Sequence, residues 1–203
     1  LLISLLVFNY NNIKKLIIPA SLESISIADG ILPNKLTSIE INNNNQYMCI
    51  ENDCLYSKDK KRLLACFTQE ENVQLYNNVE EICPHSFDLA KNLIKIDLPE
   101  SVKKIGGQVF TNSKVQTVTI GKNLESIDPI FKYLNYSTEI IIDKDNPNFT
   151  IEDKVLYNKD KTELITALKE IKGSFTVKDG IKKIGTNAFH NQNNMTEIIL
   201  PEG

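Results

Sequence analysis

The chain has 203 residues, of which 41% are hydrophobic, enough for a sizeable core or a continuous stack of small units. With 23 basic against 26 acidic residues and a net charge of −3 at pH 7, it lacks the electrostatic footprint of a nucleic-acid or anionic-membrane binder. No apolar run approaches the ~18 residues of a membrane-spanning helix, and Arg62 is the single arginine.

The opening run Leu1–Phe8 is apolar but lacks the basic start and small-residue cleavage site of a signal peptide. It fits instead a spacing that recurs along the chain: Ile3-Phe8-Ile13-Leu16-Ile18-Pro19, closed by Leu22 and Ile25. The unit from Ile25 to Ile41 keeps the spacing weakly and lacks the phenylalanine. An interruption follows, in which Tyr47–Ile50 leads to Leu55-Tyr56 and then, past Lys58-Asp59-Lys60, to Leu63-Leu64. Apolar runs around Lys-Asp-Lys predict a hairpin, and the Asn42–Asn45 run would turn it away from the stack.

The spacing resumes at Val73-Gln-Leu75 and is clearest in Ile82-Phe87-Leu93-Ile96-Leu98-Pro99-Val102-Ile105. Ile105-Phe110-Val115-Val118-Ile120 repeats it with one residue deleted. A second interruption carries Asn146-Pro-Asn148, Phe149–Ile151, Val155–Tyr157, Lys159-Asp-Lys161 and Leu164-Ile165. Ile184-Phe189-Met195-Ile198-Leu200-Pro201 then reproduces the Ile82 spacing without a gap. A longer period lies over the short one: Ile3, Phe8, Leu16, Ile82, Phe87 and Pro99 find equivalents 102 residues later in Ile105, Phe110, Val118, Ile184, Phe189 and Pro201.

We therefore expect a single solenoid over 1–203 in two blocks, about 1–102 and 103–203, each of roughly four units. Leu1 and Gly203 both cut the pattern mid-unit, so the expectation is a fragment of a longer array that lacks natural caps at one or both ends. The period-2 pair in Leu-x-x-Ile-x-Leu predicts a short strand, and Pro19, Pro99 and Pro201 follow it where a missing N–H costs no ladder bond. Ile-Gly-x-x-x-Phe predicts one helical or 3₁₀ turn plugged by the ring. Units this small bury their apolar faces only against neighbours, and at ~1.5–3 kcal/mol per large side chain stacking becomes the main stabilising term.

Ile105-Gly106 with Phe110, Ile184-Gly185 with Ala188-Phe189, and the pairs Leu98-Pro99 and Leu200-Pro201 together resemble the BspA-like, or Treponema-type, leucine-rich repeats. The segment Asn146–Leu164 is similar to an insertion such proteins often carry. Cys83 and Asp128 depart from the family's preference for glycine. The resemblance implies a β-rich leucine-rich-repeat solenoid of the α/β horseshoe type. In it, short parallel strands stack on one face, short helical turns line the convex side, and two β-hairpins are inserted. It also implies a non-enzymatic protein-binding repeat module, part of a surface or secreted adhesion-type protein at the cell surface or outside it. A cytoplasmic scaffold of the same fold is the alternative, and a solenoid carbohydrate-active enzyme comes third.

Residues of the sheet face would touch a partner. One row holds Lys15, Asn72, Lys95, Thr117, Glu139 and Glu197; the next holds Glu40, Gln74, Asp97, Thr119, Ile141 and Thr176, with Ile17 and Ile199 at its ends. The face is polar, of mixed charge, and free of the aromatics and arginine that dominate binding hot spots. Tyr56 and Tyr157 are candidate contacts at the hairpin tips, unless they cover the stack. The expected partner is a protein, with carbohydrate left open; neither nucleic acid, membrane insertion within this segment, nor any cofactor is expected.

Catalytic and metal-binding patterns find little support. Cys49, Cys54, Cys66 and Cys83 all fall in the first block, are not spaced Cys-x-x-Cys and have only His85 nearby, which argues against zinc. They read as buried free thiols, with a Cys49–Cys54 disulfide left open if the chain is exported. His85 and His190 show no recognisable acid or nucleophile partner and read as surface or repeat-turn residues. Asp97, Glu139 and Glu197 are too scattered for paired-acid catalysis, and Gly106-Gly107 reads as a turn rather than a phosphate loop. Asn135, Asn148 and Asn194 begin glycosylation sequons that matter only in an exported chain.

Overall fold

Short runs of alternating apolar residues become strands here, and the spacing of the runs lays each strand beside its equivalent in the next unit. The computed structural model describes residues 2–4, 12–26, 35–111, 113–128, 131 and 138–202. The Phe8 anchor and the Asn135–Ser137 sequon lie outside them. The first units supply β1 (Leu2–Ser4), β2 (Lys15–Ile18), β3 (Ser24–Ser26) and β4 (Ser38–Ile41). The first insertion supplies β5 (Met48–Glu51), β6 (Cys54–Ser57) and β7 (Arg62–Cys66). The middle units supply β8 (Glu81–Ile82), β9 (Lys95–Asp97), β10 (Lys104–Ile105), β11 (Thr117–Ile120), β12 (Ser126–Ile127) and β13 (Glu139–Ile142). The second insertion supplies β14 (Phe149–Glu152), β15 (Val155–Asn158) and β16 (Glu163–Ala167), and the last units β17 (Gly173–Thr176), β18 (Lys183–Ile184) and β19 (Met195–Ile199).

Each middle unit contributes two parallel strands where the spacing predicts one. In the longer row β9, β11 and β13 align Lys95, Thr117 and Glu139, and bury Ile96, Val118 and Ile140 beneath them. In the shorter row β8, β10 and β12 align Glu81, Lys104 and Ser126. Side chains reinforce the period across one repeat: Ser101 Oγ donates to the Val79 carbonyl at 2.7 Å and Thr138 Oγ1 to the Val115 carbonyl at 2.6 Å. The elements form a β-solenoid of stacked strands.

The short helical turns expected on the convex side are absent among the described residues. Three places after each isoleucine the backbone takes a left-handed residue, namely His85 (φ 57°), Gln108 (φ 54°) and Asn187 (φ 57°). A left-handed residue ends any α or 3₁₀ run, so separate turns close the segment instead, for example Ser86 N–H to Cys83 O and Ala90 N–H to Phe87 O. The rings still plug the stack: Phe87, Phe110 and Phe131 are fully buried, and Phe87 and Phe110 stack at 5.3 Å. The glycine of Ile-Gly permits close approach of neighbouring units. A Cβ on Gly106 would lie 2.7 Å from Pro84, and one on Gly185 would lie 2.6 Å from the Ile165 carbonyl oxygen.

Both insertions are three-stranded meanders built into the stack, not hairpins lifted from it. β5, β6 and β7 are antiparallel, and β7 then pairs parallel with β8, giving one six-stranded sheet in the order β12-β10-β8-β7-β6-β5. β14, β15 and β16 repeat the arrangement and join β18. Each meander is covered on both faces. Leu55 belongs to one buried apolar cluster, with Ile18, Leu22, Ile39 and Met48, while Cys54 and Tyr56 belong to another, with Ile82 and Phe87.

A buried asparagine anchors each meander. Asn45 donates to the Pro19 and Leu22 carbonyls, each at 2.9 Å, and accepts from the Tyr47 and Met48 N–H groups, each at 2.8 Å. Asn146 donates to the Gly121, Lys122 and Leu124 carbonyls and accepts from the Asn148 and Phe149 N–H groups. Both asparagines are fully buried, so runs that read as surface turns hold the insertion against the preceding unit.

Candidate partner-binding face

The outward positions of β2 and β4, and of β9, β11 and β13, alternate with buried or half-buried isoleucines, valine and leucine beneath them; in β17 and β19 the residues beneath are the half-buried Phe175 and the exposed Ile198. Lys95, Thr117 and Glu139 form one line across the strands, and Asp97, Thr119 and Ile141 form the next. An isolated bridge from Asn72 to Lys95 extends the first line by one unit, and Gln74 lies exposed beside it. Lys15 aligns with Ser38 and Ile17 with Glu40. At the other end, Ser174 aligns with Glu197 and Thr176 with Ile199. Thr117 and Thr119 are half-buried; Lys15, Glu40, Asn72, Gln74, Lys95, Asp97, Glu139, Ile141, Thr176 and Glu197 are exposed.

Two pairs of opposite charges meet on this face. Lys15 meets Glu40 of the next unit at 2.6 Å, and Lys95 meets Asp97 on its own strand at 3.0 Å. A hydrogen bond from Thr119, then the Lys95 pairing, holds the Asp97 carboxyl below its ordinary range. Exposed pairs of this kind contribute ~0–1 kcal/mol; they set a charge pattern more than they stabilise the fold. Three isoleucines on the same face are large and exposed: Ile17, Ile141 and Ile199. A polar groove of about 640 Å³ opens beside Asn72 and the start of β9, lined by Gln69, Glu70, Glu71, Asn92, Ile94, Lys114 and Gln116.

Of the two readings of Tyr56 and Tyr157, the one in which they cover the stack holds, and neither stands at a hairpin tip. Tyr56 and Tyr157 are 0% and 1% exposed, because they sit inside β6 and β15, whose two faces are both covered. The tips are formed by Lys58, Asp59 and Lys61, and by Lys159, Asp160 and Lys161, all exposed. Among the described residues, an exposed aromatic that the spacing did not single out is Tyr47, 46% accessible. Its signal was present in the period-2 alternation after Asn45, which turns Met48 inward and Tyr47 outward. Nearby, Lys60 Nζ lies 3.8 Å above the Tyr76 ring and pairs with Glu51 at 3.1 Å.

Histidine 85 has an acid partner that the spacing did not reveal. Its Nδ1 lies 3.1 Å from Asp88 Oδ2, and both residues are buried. The pair joins two residues of a left-handed repeat turn and closes it. His190 is exposed in the corresponding turn of the last unit. Cys54 lies opposite Cys66, not Cys49, which pairs in register with Tyr56. Burial pushes the Cys83 thiol up to about 11, partly opposed by Arg62, whose Nη2 lies 3.5 Å from its sulfur. Among the described residues no cluster of three or more His, Cys, Asp or Glu side chains could hold a metal ion. Among the same residues no helix is long and apolar enough to cross a membrane.

The family model of the BspA type leucine rich repeat region matches residues 63–174 and 171–203, in six copies. Among solved structures, a leucine-rich repeat protein from Eubacterium ventriosum is 21% identical with a TM-score of 0.59, covering 92% of this chain and 47% of that one. A leucine rich cell surface protein from Faecalibacterium prausnitzii is 16% identical with a TM-score of 0.50, covering 98% of this chain and 64% of that one. At these identities the likeness is one of fold, and the chain spans less than two thirds of either structure. No curated protein sequence matches it. The stacked units, their Ile-Gly and Leu-Pro positions and the six matched copies place the chain in the family of BspA-type leucine-rich repeat proteins.

Proposed function

We propose that the chain is a non-enzymatic protein-binding module whose partner docks on the parallel-strand face, and that it belongs to a surface or secreted adhesion-type protein. The observation that carries the reading is the pair of lines Lys95–Thr117–Glu139 and Asp97–Thr119–Ile141: a ladder of outward side chains uncovered by other described parts of the chain. Solenoids offer such extended faces to partners, with specificity set by the variable outward positions. Curvature of the horseshoe kind would place this ladder on the inner side, with Ile141 among its apolar contacts. The location is supported by a structural neighbour described as a cell surface protein.

Two experiments test this reading. Protease shaving and surface biotinylation of intact cells of the source organism should reach the protein before lysis; a protein wholly shielded until lysis contradicts the surface assignment and favours the cytoplasmic scaffold. Screening glycosidase and esterase substrates should give no turnover that depends on His85 or His190. A robust activity lost in His85→Ala or His190→Ala would replace the binding reading with an enzymatic one.

A further inference from the structure

We propose that Cys54 and Cys66 are a disulfide-forming pair that links β6 to β7 when the chain folds in an oxidising compartment. The two residues are direct register partners, both are fully buried, and their sulfurs lie 2.7 Å apart. The Cys66 N–H donates across to Ser86 O of the neighbouring unit, while Phe67 N–H donates to Asp53 O beside the pair. Cys54 and Cys66 therefore form a non-hydrogen-bonded pair, whose Cα atoms typically approach to ~4.5 Å, within the ~4.4–6.8 Å a disulfide spans.

The duplicated meander supplies an internal control. Its corresponding register pair is Val155 and Ala167, so the fold does not demand sulfur at either position; in the first meander both positions hold cysteine. The other two thiols are engaged elsewhere: Cys49 Sγ lies 3.7 Å from the Ser57 carbonyl oxygen, and Cys83 Sγ faces Arg62. The hydrogen bond to Cys66 and burial both raise the Cys54 thiol above its ordinary range. Both sulfurs are fully buried, so a soluble oxidant reaches them while the meander forms or opens.

The oxidant is a small disulfide such as oxidised glutathione. A thiolate of one cysteine attacks its S–S bond, forming a mixed disulfide and releasing one glutathione thiol. The second cysteine displaces the other glutathione, so two protein thiols become one S–S bond and the glutathione disulfide becomes two thiols. The bond depends only on geometry and redox conditions, so its test is separate from that of the binding reading.

The test refolds the whole chain with oxidised glutathione and maps it without reduction. In the wild type, tryptic fragments 36–58 and 63–91, which hold all four cysteines, should stay joined, with the link assigned to Cys54 and Cys66. In a Cys49→Ser/Cys83→Ser variant the mass should fall by about 2 Da, with no thiol left to alkylate after unfolding. The oxidised wild type should melt about 5–10 °C above the reduced form. Cys54→Val/Cys66→Ala, copied from the second meander, should fold and melt at one temperature under both conditions. Full alkylation of Cys54 and Cys66 after oxidative refolding, or a Cys49–Cys54 link in their place, overturns the proposal.

Discussion

Replacing Asn146 by alanine removes one side chain and five hydrogen bonds from a fully buried site. The Asn148 and Phe149 N–H groups lose an acceptor at 2.8 Å, and a buried unsatisfied donor costs ~1–3 kcal/mol. The carbonyls of Gly121, Lys122 and Leu124 lose contacts of 3.1–3.3 Å that share one amide, a smaller loss because each carbonyl keeps a second lone pair. The sum is a destabilisation of ~3–5 kcal/mol, or roughly 10 °C for a chain of this length. Urea titration followed by circular dichroism reads it as a lower midpoint. Since a solenoid can melt in segments, the loss should concentrate in β14–β16 and be visible there by hydrogen exchange. Asn44→Ala, at an exposed position of the equivalent turn in the first block, serves as control and should stay within ~0.5 kcal/mol of wild type. An Asn146→Ala protein that loses less than ~1 kcal/mol would refute the view that this asparagine anchors the meander.

Further outcomes follow from the same geometry. Gly185→Ala places a methyl 2.6 Å from the Ile165 carbonyl oxygen and should cost ~1–3 kcal/mol in denaturant titration; a neutral result would mean the units separate easily. Tyr157→Phe removes a hydroxyl that is buried and unbonded and should change stability by less than ~1 kcal/mol, whereas Tyr157→Ala should lose ~3–5 kcal/mol by opening a cavity. Equal losses in the two variants would show that the hydroxyl matters. Glu152 is held down to about 2, from an ordinary 4.5, by hydrogen-bonded ion pairs with Lys161 and Lys178. A depressed carboxyl stabilises fully above its unfolded value, and that contribution is lost as pH falls through the folded value. Stability should therefore decline between about pH 5 and pH 2, and Glu152→Gln should flatten that decline. An NMR titration placing Glu152 near 4.5 would rule this out.

The parallel row was legible because burial leaves a period in the sequence. Ile96, Val118 and Ile140 recur at the spacing that stacks them, and Lys95 and Asp97 alternate with them. The second row was not, since β8, β10 and β12 are two residues long and two residues carry no period. His85 was read through its type, while what defines its turn is a backbone angle shared with Gln108 and Asn187. Spacing alone leaves Tyr56 open between hairpin tip and stack cover, because alternation assumes one wet face; Cys54, Leu55 and Tyr56 are consecutive and all buried. A register shift at Leu55/Tyr56 also decides that Cys54 meets Cys66, and such shifts leave no trace in residue spacing. Asparagine runs signal turns on average, and nothing local distinguishes the buried Asn45 and Asn146 from their exposed neighbours Asn44 and Asp145.

The central claim is that the parallel-strand face carries the partner, and site-specific photo-crosslinking in intact cells tests it most directly. A photoreactive residue is placed in turn at Asp97 and Thr119 on the face, and at the exposed turn positions Lys91 and Thr186. The face positions are predicted to give one discrete protein adduct and the turn positions none. Adducts from Lys91 or Thr186, with none from Asp97 and Thr119, would contradict the account.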